Sequence, residues 1–146
     1  MKAIRIITHP YTIMISFFLI MISGQHWGGF YLLYVLIALP HAGIHALLAL
    51  FGIALLAFTY SKYERKRIYH IESILNIIGI LALIFSLFFF FYNDKQNYNE
   101  GTFYQLIPQI TLIAFSILAL AFIVDNIMPF FKSAASTSDN QRFTNS

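Results

Sequence analysis

One apolar run, residues 30–60, constrains the fold of this chain more than any other feature. It reads FYLLYVLIALPHAGIHALLALFGIALLAFTY, and its only ionisable groups besides tyrosine are the imidazoles of His41 and His45. A run this long and this apolar is typical of a segment inside a lipid bilayer. Histidines in such a segment need polar partners, because an unpaired polar group is costly in hydrocarbon.

The composition supports a membrane protein throughout. Hydrophobic residues make up 59% of the chain and charged residues only 10%, whereas a soluble domain carries about 25% charged residues. The net charge of +3 does not indicate a nucleic-acid partner, because the basic residues flank the apolar runs, where they set membrane orientation. Cysteine is absent, which excludes a thiolate metal site or a cysteine nucleophile. We therefore expect the lipid bilayer as a partner and no nucleic acid.

Four apolar runs predict an all-α integral membrane protein with a four-helix transmembrane bundle. The expected spans are about residues 10–27, 30–60, 71–92 and 102–128, within a single domain of residues 1–131. The remaining residues, 132–146, are rich in Ser, Thr and Asn, and this composition predicts a disordered tail. The first run has a competing interpretation as a cleaved signal peptide ending near Gly24, although Ile22 is not the small residue such a site favours.

The second run is too long for one straight crossing. As a single helix it measures about 46 Å, against about 30 Å of hydrocarbon. Two arrangements remain open. Either one long span is kinked or broken at Pro40, or residues 30–39 form a separate shallow segment.

The distribution of Lys and Arg predicts the orientation. The first tail carries two of these residues, the loop before residue 71 carries four and the last tail carries two, whereas the loop at residues 93–101 carries only Lys95. Basic loops stay on the cytoplasmic side. We therefore expect both termini in the cytoplasm and the protein in the plasma (inner) membrane.

Polar or small side chains recur every three or four residues in each run, which places them on one helical face. Such stripes join helices inside a membrane. The alternating direction of the spans groups these side chains by depth. The expected bundle interior comprises Ser23, Ser86, Gln105 and Gln109 towards the outer side, together with His26, His41 and His45, and Glu72 and Asn76 towards the inner side.

The histidines are the candidate chemical site. The spacing of His41 and His45 would put both rings on one helical face, where they can share a metal ion. His26 is the natural third ligand for a transition metal such as Zn²⁺ or Cu²⁺. The glutamate that the HExxH motif of metalloproteases requires is missing. Two rings on one face also cannot clamp a single haem between them.

No phosphate-binding loop, serine triad or pair of intramembrane aspartates is present. We therefore expect a small non-enzymatic membrane protein without a cofactor, acting as an accessory or assembly subunit or as a homo-oligomer. Its partners would be other membrane subunits or copies of itself. Two alternatives remain open: a metal- or cofactor-binding membrane protein that uses the histidines, and a small transporter or channel component that acts as an oligomer.

Overall fold

The computed structural model describes residues 8–25, 28–61 and 69–144 and is mostly helical, at 79%. The described residues form five α-helices and two short strands. In chain order they are α1 (Pro10–Phe18), β1 (Met21–Ser23), β2 (Gly28–Phe30), α2 (Tyr31–Ala38), α3 (Ile44–Ser61), α4 (Tyr69–Tyr92) and α5 (Leu106–Thr144), with 3₁₀ turns at Leu39–His41 and Glu100–Phe103.

The first run is only partly helical. Pro10 occupies a first-turn position of α1, and the ring of His9 accepts a hydrogen bond from the Tyr11 backbone N–H at 3.3 Å. The helix ends at Phe18, after which β1 and β2 form an antiparallel hairpin in which Ile22 opposes Gly29. The predicted helix over residues 10–27 is therefore wrong in its second half. The β-branched side chains of this segment and its glycines favour a strand and a turn.

The second run is broken at Pro40. A 3₁₀ turn follows α2, and Ala42 then adopts a left-handed conformation with φ of 50°. The axes of the flanking helical segments, Tyr31–His41 and Ile44–Tyr60, differ by 113°. Because this angle exceeds a right angle, α2 does not add to the length of α3. Of the two arrangements expected, a separate segment before Pro40 describes this geometry better than one kinked span.

Helices α3 and α4 form the closest helical pair. They meet at Gly52 and Gly79, where a β-carbon added to Gly52 would lie 2.7 Å from the Gly79 carbonyl oxygen. Small residues permit this approach of two helical backbones. The apolar core extends from this pair to α1, α2 and α5. Its fully buried members include Ile13, Phe17, Tyr31, Val35, Ala49, Leu56, Ile80 and Leu83.

Within the described ranges, two helical stretches are long and apolar enough to cross a membrane, Ile71–Tyr92 in α4 and Leu106–Met128 in α5. A third crossing results if α2 and α3 count as one span. The prediction of a mostly helical chain with helices that could span a membrane is thus confirmed at this coarse level. The hairpin was not predicted. Helix α5 also continues to Thr144, where we expected a disordered tail from Lys132. No Gly or Pro follows Pro129, and helix propagation is favourable once a helix has been nucleated.

Candidate functional site

The described polar contacts between helices lie in two groups at opposite ends of the fold. The outer group surrounds Ser86 of α4, whose hydroxyl donates to the backbone carbonyl of His45 at 2.6 Å. The Tyr31 hydroxyl lies 2.7 Å from the same Ser86 oxygen. Since the single Ser86 proton is directed to the carbonyl, Tyr31 must donate to Ser86. This chain of two hydrogen bonds ties α2 to α4 and to the first turn of α3.

Aromatic rings enclose the outer group. The ring of Tyr31 contacts Phe17 at 5.4 Å and Phe90 at 5.1 Å, in edge-to-face geometry, and the His45 ring lies 5.5 Å from Phe90. Such arrangements are favourable beyond the burial of apolar surface. Among the described residues, the His45 Nε2 atom has no hydrogen-bond partner although it is buried. The group is therefore built mainly for packing, with one imidazole nitrogen left unpaired.

The two predicted histidine ligands do not share a helical face. His41 belongs to the 3₁₀ turn and is exposed, with Nδ1 3.4 Å from the Ile37 carbonyl oxygen, whereas His45 lies in α3 beyond the left-handed Ala42. The premise of a helical spacing between them is wrong, because the helix is interrupted between the two residues. His26 lies outside the described residues. Within those residues, no group of three or more His, Cys, Asp or Glu side chains is placed to hold a metal ion.

The inner group joins three helices through their side chains. The Thr59 hydroxyl of α3 lies 2.7 Å from the Asn76 side-chain oxygen of α4, and the Asn76 amide donates to the Asn126 side-chain oxygen of α5 at 2.9 Å. The Asn126 amide in turn donates to the Phe122 carbonyl at 2.9 Å. Asn76 is thus central to the network. The sequence predicted Asn76 in the bundle interior towards the inner side, but the hydroxyl of Thr59 was missed.

The other predicted interior residues have different surroundings. Glu72 is half-buried near the start of α4, and Gln105 is exposed just before α5. Gln109 is half-buried, and its amide donates to the Phe103 carbonyl. Among the described hydrogen bonds, none joins Gln105 or Gln109 to His45. Ser86 and Ser23 also belong to separate contacts.

Ser23 is part of a contact that the sequence did not indicate. Its backbone N–H donates to the Thr102 hydroxyl at 2.9 Å, and the Met21 N–H donates to the Thr111 hydroxyl at 3.0 Å. The two threonine hydroxyls thus accept hydrogen bonds from the backbone N–H groups on the edge of β1 that faces away from β2. Non-helical backbone is tolerated at membrane depth only where the protein itself satisfies it. Polar threonines near a helix start are too common for the sequence alone to reveal this role.

The 3₁₀ turn beside this contact has a hydrogen bond of its own. The Tyr104 hydroxyl donates to the Glu100 carboxylate at 3.1 Å, and this bond raises the pKa of the Tyr104 phenol. Both side chains are exposed. The turn therefore has a polar outer surface, next to the apolar helices that follow it.

Helix α5 exposes a continuous aliphatic stripe. The exposed residues recur at alternating intervals of three and four, so they lie along one face of the helix. The stripe is defined as Leu106, Ile110, Ile113, Ile117, Leu120 and Val124. It contains no polar side chain and runs along most of the stretch that can cross a membrane.

The chain matches no protein-family model, and comparisons with curated proteins and with solved structures also return no match. Its class therefore follows from its own features. These define a mostly helical protein in which two helices are long and apolar enough to cross a membrane.

Proposed function

We propose that this chain is a non-enzymatic, multi-pass integral membrane protein that acts by associating with a second copy of itself through the stripe on α5. The single observation that carries the proposal is the stripe, which is exposed, entirely aliphatic and regularly spaced. Regular spacing of this kind allows side chains of one helix to fit between those of another. In a bilayer, such packing rather than the hydrophobic effect drives helices together.

The membrane placement rests on more than the two long helices. His9 and Tyr11 contact Tyr60 at the end of α3, with ring centroids 5.1 and 4.2 Å apart. Ser23, at the end of β1, contacts Thr102 beside the start of α5. Residues 9–23 thus run from one end of the packed helices to the other. With α3, α4 and α5, this segment supports four crossings, the first of them part helix and part strand.

The orientation follows from charge. With four crossings, the charge count of the sequence assigns eight of the nine Lys and Arg residues to one side of the membrane and Lys95 to the other. The positive-inside rule then places both termini in the cytoplasm. We propose the plasma (inner) membrane as the location.

Self-association is tested by the mass of the protein in mild detergent. We expect a dimer or higher oligomer for the unaltered chain and a monomer for the double substitution Ile113→Ala, Ile117→Ala. The matched control is Ile74→Ala, Ile78→Ala on α4. It removes the same atoms at the same spacing from side chains that are 46% and 41% exposed, compared with 56% and 62% on α5.

Three results would decide against self-association. The first is a monomeric unaltered chain, and the second is an equal effect of both double substitutions. The third is binding of a different membrane protein to α5. The last result would favour an accessory or assembly subunit that uses the same face of α5.

A further inference from the structure

A groove lies between α4 and α5, apart from the polar contacts between helices described above. Its volume is about 420 Å³, within the range of about 300–1,000 Å³ that is common for ligand sites. Its lining includes Phe88 and Phe91 of α4, Phe103 of the 3₁₀ turn, and Phe115, Ser116 and Ala119 of α5. The groove lies in the half of both helices that is nearer to this turn.

Every lining side chain is apolar apart from one. The exception is Ser116, whose hydroxyl donates to the Leu112 carbonyl of its own helix at 2.8 Å. The lining therefore carries no charge, and the proton of its one hydroxyl is already donated within the helix. An uncharged hydrocarbon is complementary to such a lining, whereas a polar ligand would lose its hydration without compensation.

The groove is closed towards the turn and open at the side. The rings of Phe91 and Phe103 are 4.8 Å apart and form a roof. Phe88 and Leu120 both line the groove and belong to the exposed surface of their helices. Because both helices can cross a membrane, the side opening faces lipid rather than water. A helix of about 10 Å diameter is too wide to enter a space of this volume.

We propose that this groove binds one alkyl chain of a membrane lipid, which enters from the side and ends beneath the Phe91–Phe103 roof. The lipid is held as an individual ligand, distinct from the lipids that cover the open faces of the helices. The inference rests on the proposed membrane placement. Leu120 is the one residue that the groove shares with the stripe on α5.

Photolabelling tests the proposal directly. The full chain is placed in vesicles of phosphatidylcholine and phosphatidylglycerol that contain phosphatidylcholine with a diazirine on one palmitoyl chain, and labelled residues are mapped by mass spectrometry. We expect labels to concentrate on the groove. Ser116→Phe fills the groove and should lower this labelling by about tenfold, equivalent to about 1.4 kcal/mol of binding. Ala114→Phe is the control, since Ala114 is exposed on the same helix but does not line the groove.

A second variant keeps the test informative if Ser116→Phe does not fold. Phe103→Ala removes the roof without adding atoms, and it should speed the exchange of the labelled lipid while labelling of Ile78, which is exposed on α4 and lines neither the groove nor the stripe, is unchanged. Labelling spread evenly over all exposed residues, or unaffected by both variants, would overturn the proposal. Absence of label at Ile78 as well as in the groove, in the unaltered chain, would instead contradict the membrane placement.

Discussion

The backbone of Gly52 in α3 lies directly against that of Gly79 in α4. A β-carbon on Gly52 would meet the Gly79 carbonyl oxygen at 2.7 Å, whereas one on Gly79 would meet the Leu56 side chain at 3.1 Å. The two glycines therefore differ in what opposes a larger residue. At Gly52 the obstacle includes rigid backbone, and at Gly79 the nearest obstacle is a side chain that can move.

This difference predicts unequal costs of substitution. Gly52→Ala should lower the free energy of unfolding by about 1–3 kcal/mol, because the helices must separate to admit the methyl group. Gly79→Ala should cost less. The measurement is reversible unfolding in mixed detergent micelles, with Ala54→Val on the exposed face of α3 as the control. Equal losses at Gly52 and Gly79 would contradict the close backbone contact.

The inner polar network predicts energetic coupling between α4 and α5. A double-mutant cycle with Asn76→Ala and Asn126→Ala should give a coupling free energy of about 0.6 kcal/mol, the average for hydrogen bonds between membrane helices, and no more than about 1.7 kcal/mol. Unfolding of the two single variants and the double variant supplies the value. Additive effects would show that the 2.9 Å contact between the two amides contributes nothing to stability.

The chain of hydrogen bonds at Ser86 predicts an order of effects. Tyr31→Phe removes one donor and leaves the bond from Ser86 to the His45 carbonyl intact, so it should cost about 0.5–1.5 kcal/mol. Ser86→Ala should cost more, because the buried Tyr31 hydroxyl then loses its acceptor. Equilibrium unfolding of both variants tests the order. A larger loss for Tyr31→Phe would mean that the direction of the hydrogen bonds is wrong.

The membrane character of the chain was predictable because long apolar runs have few alternatives in water. The run at residues 71–92 coincides with the crossing stretch of α4, and Pro40 lies at the break in the second run. Proline removes a backbone donor and clashes with the preceding turn, so its local effect can be read from sequence. The size of the bend depends on tertiary contacts, such as that between Tyr31 and Ser86, which sequence patterns do not specify.

Neither the hairpin nor the separation of His41 and His45 onto different elements was predictable from the sequence. Residues 20–23 are as apolar as a helix would require, and only the hydroxyls of Thr102 and Thr111, about 80–90 positions later in the chain, satisfy the free strand edge. The spacing of His41 and His45 suggested a shared face only because an unbroken helix was assumed. The metal site that includes His26 therefore remains a prediction, without its original geometric support.

The most direct test of self-association through α5 is a cysteine scan. The chain has no native cysteine, so single cysteines at positions 110–120 can be crosslinked in native membranes without background. We expect crosslinked dimers at Ile110, Ile113, Ile117 and Leu120 and far fewer at Ala114, which is exposed but lies off the stripe. Uniform crosslinking along the helix, or none at any position, would contradict the account.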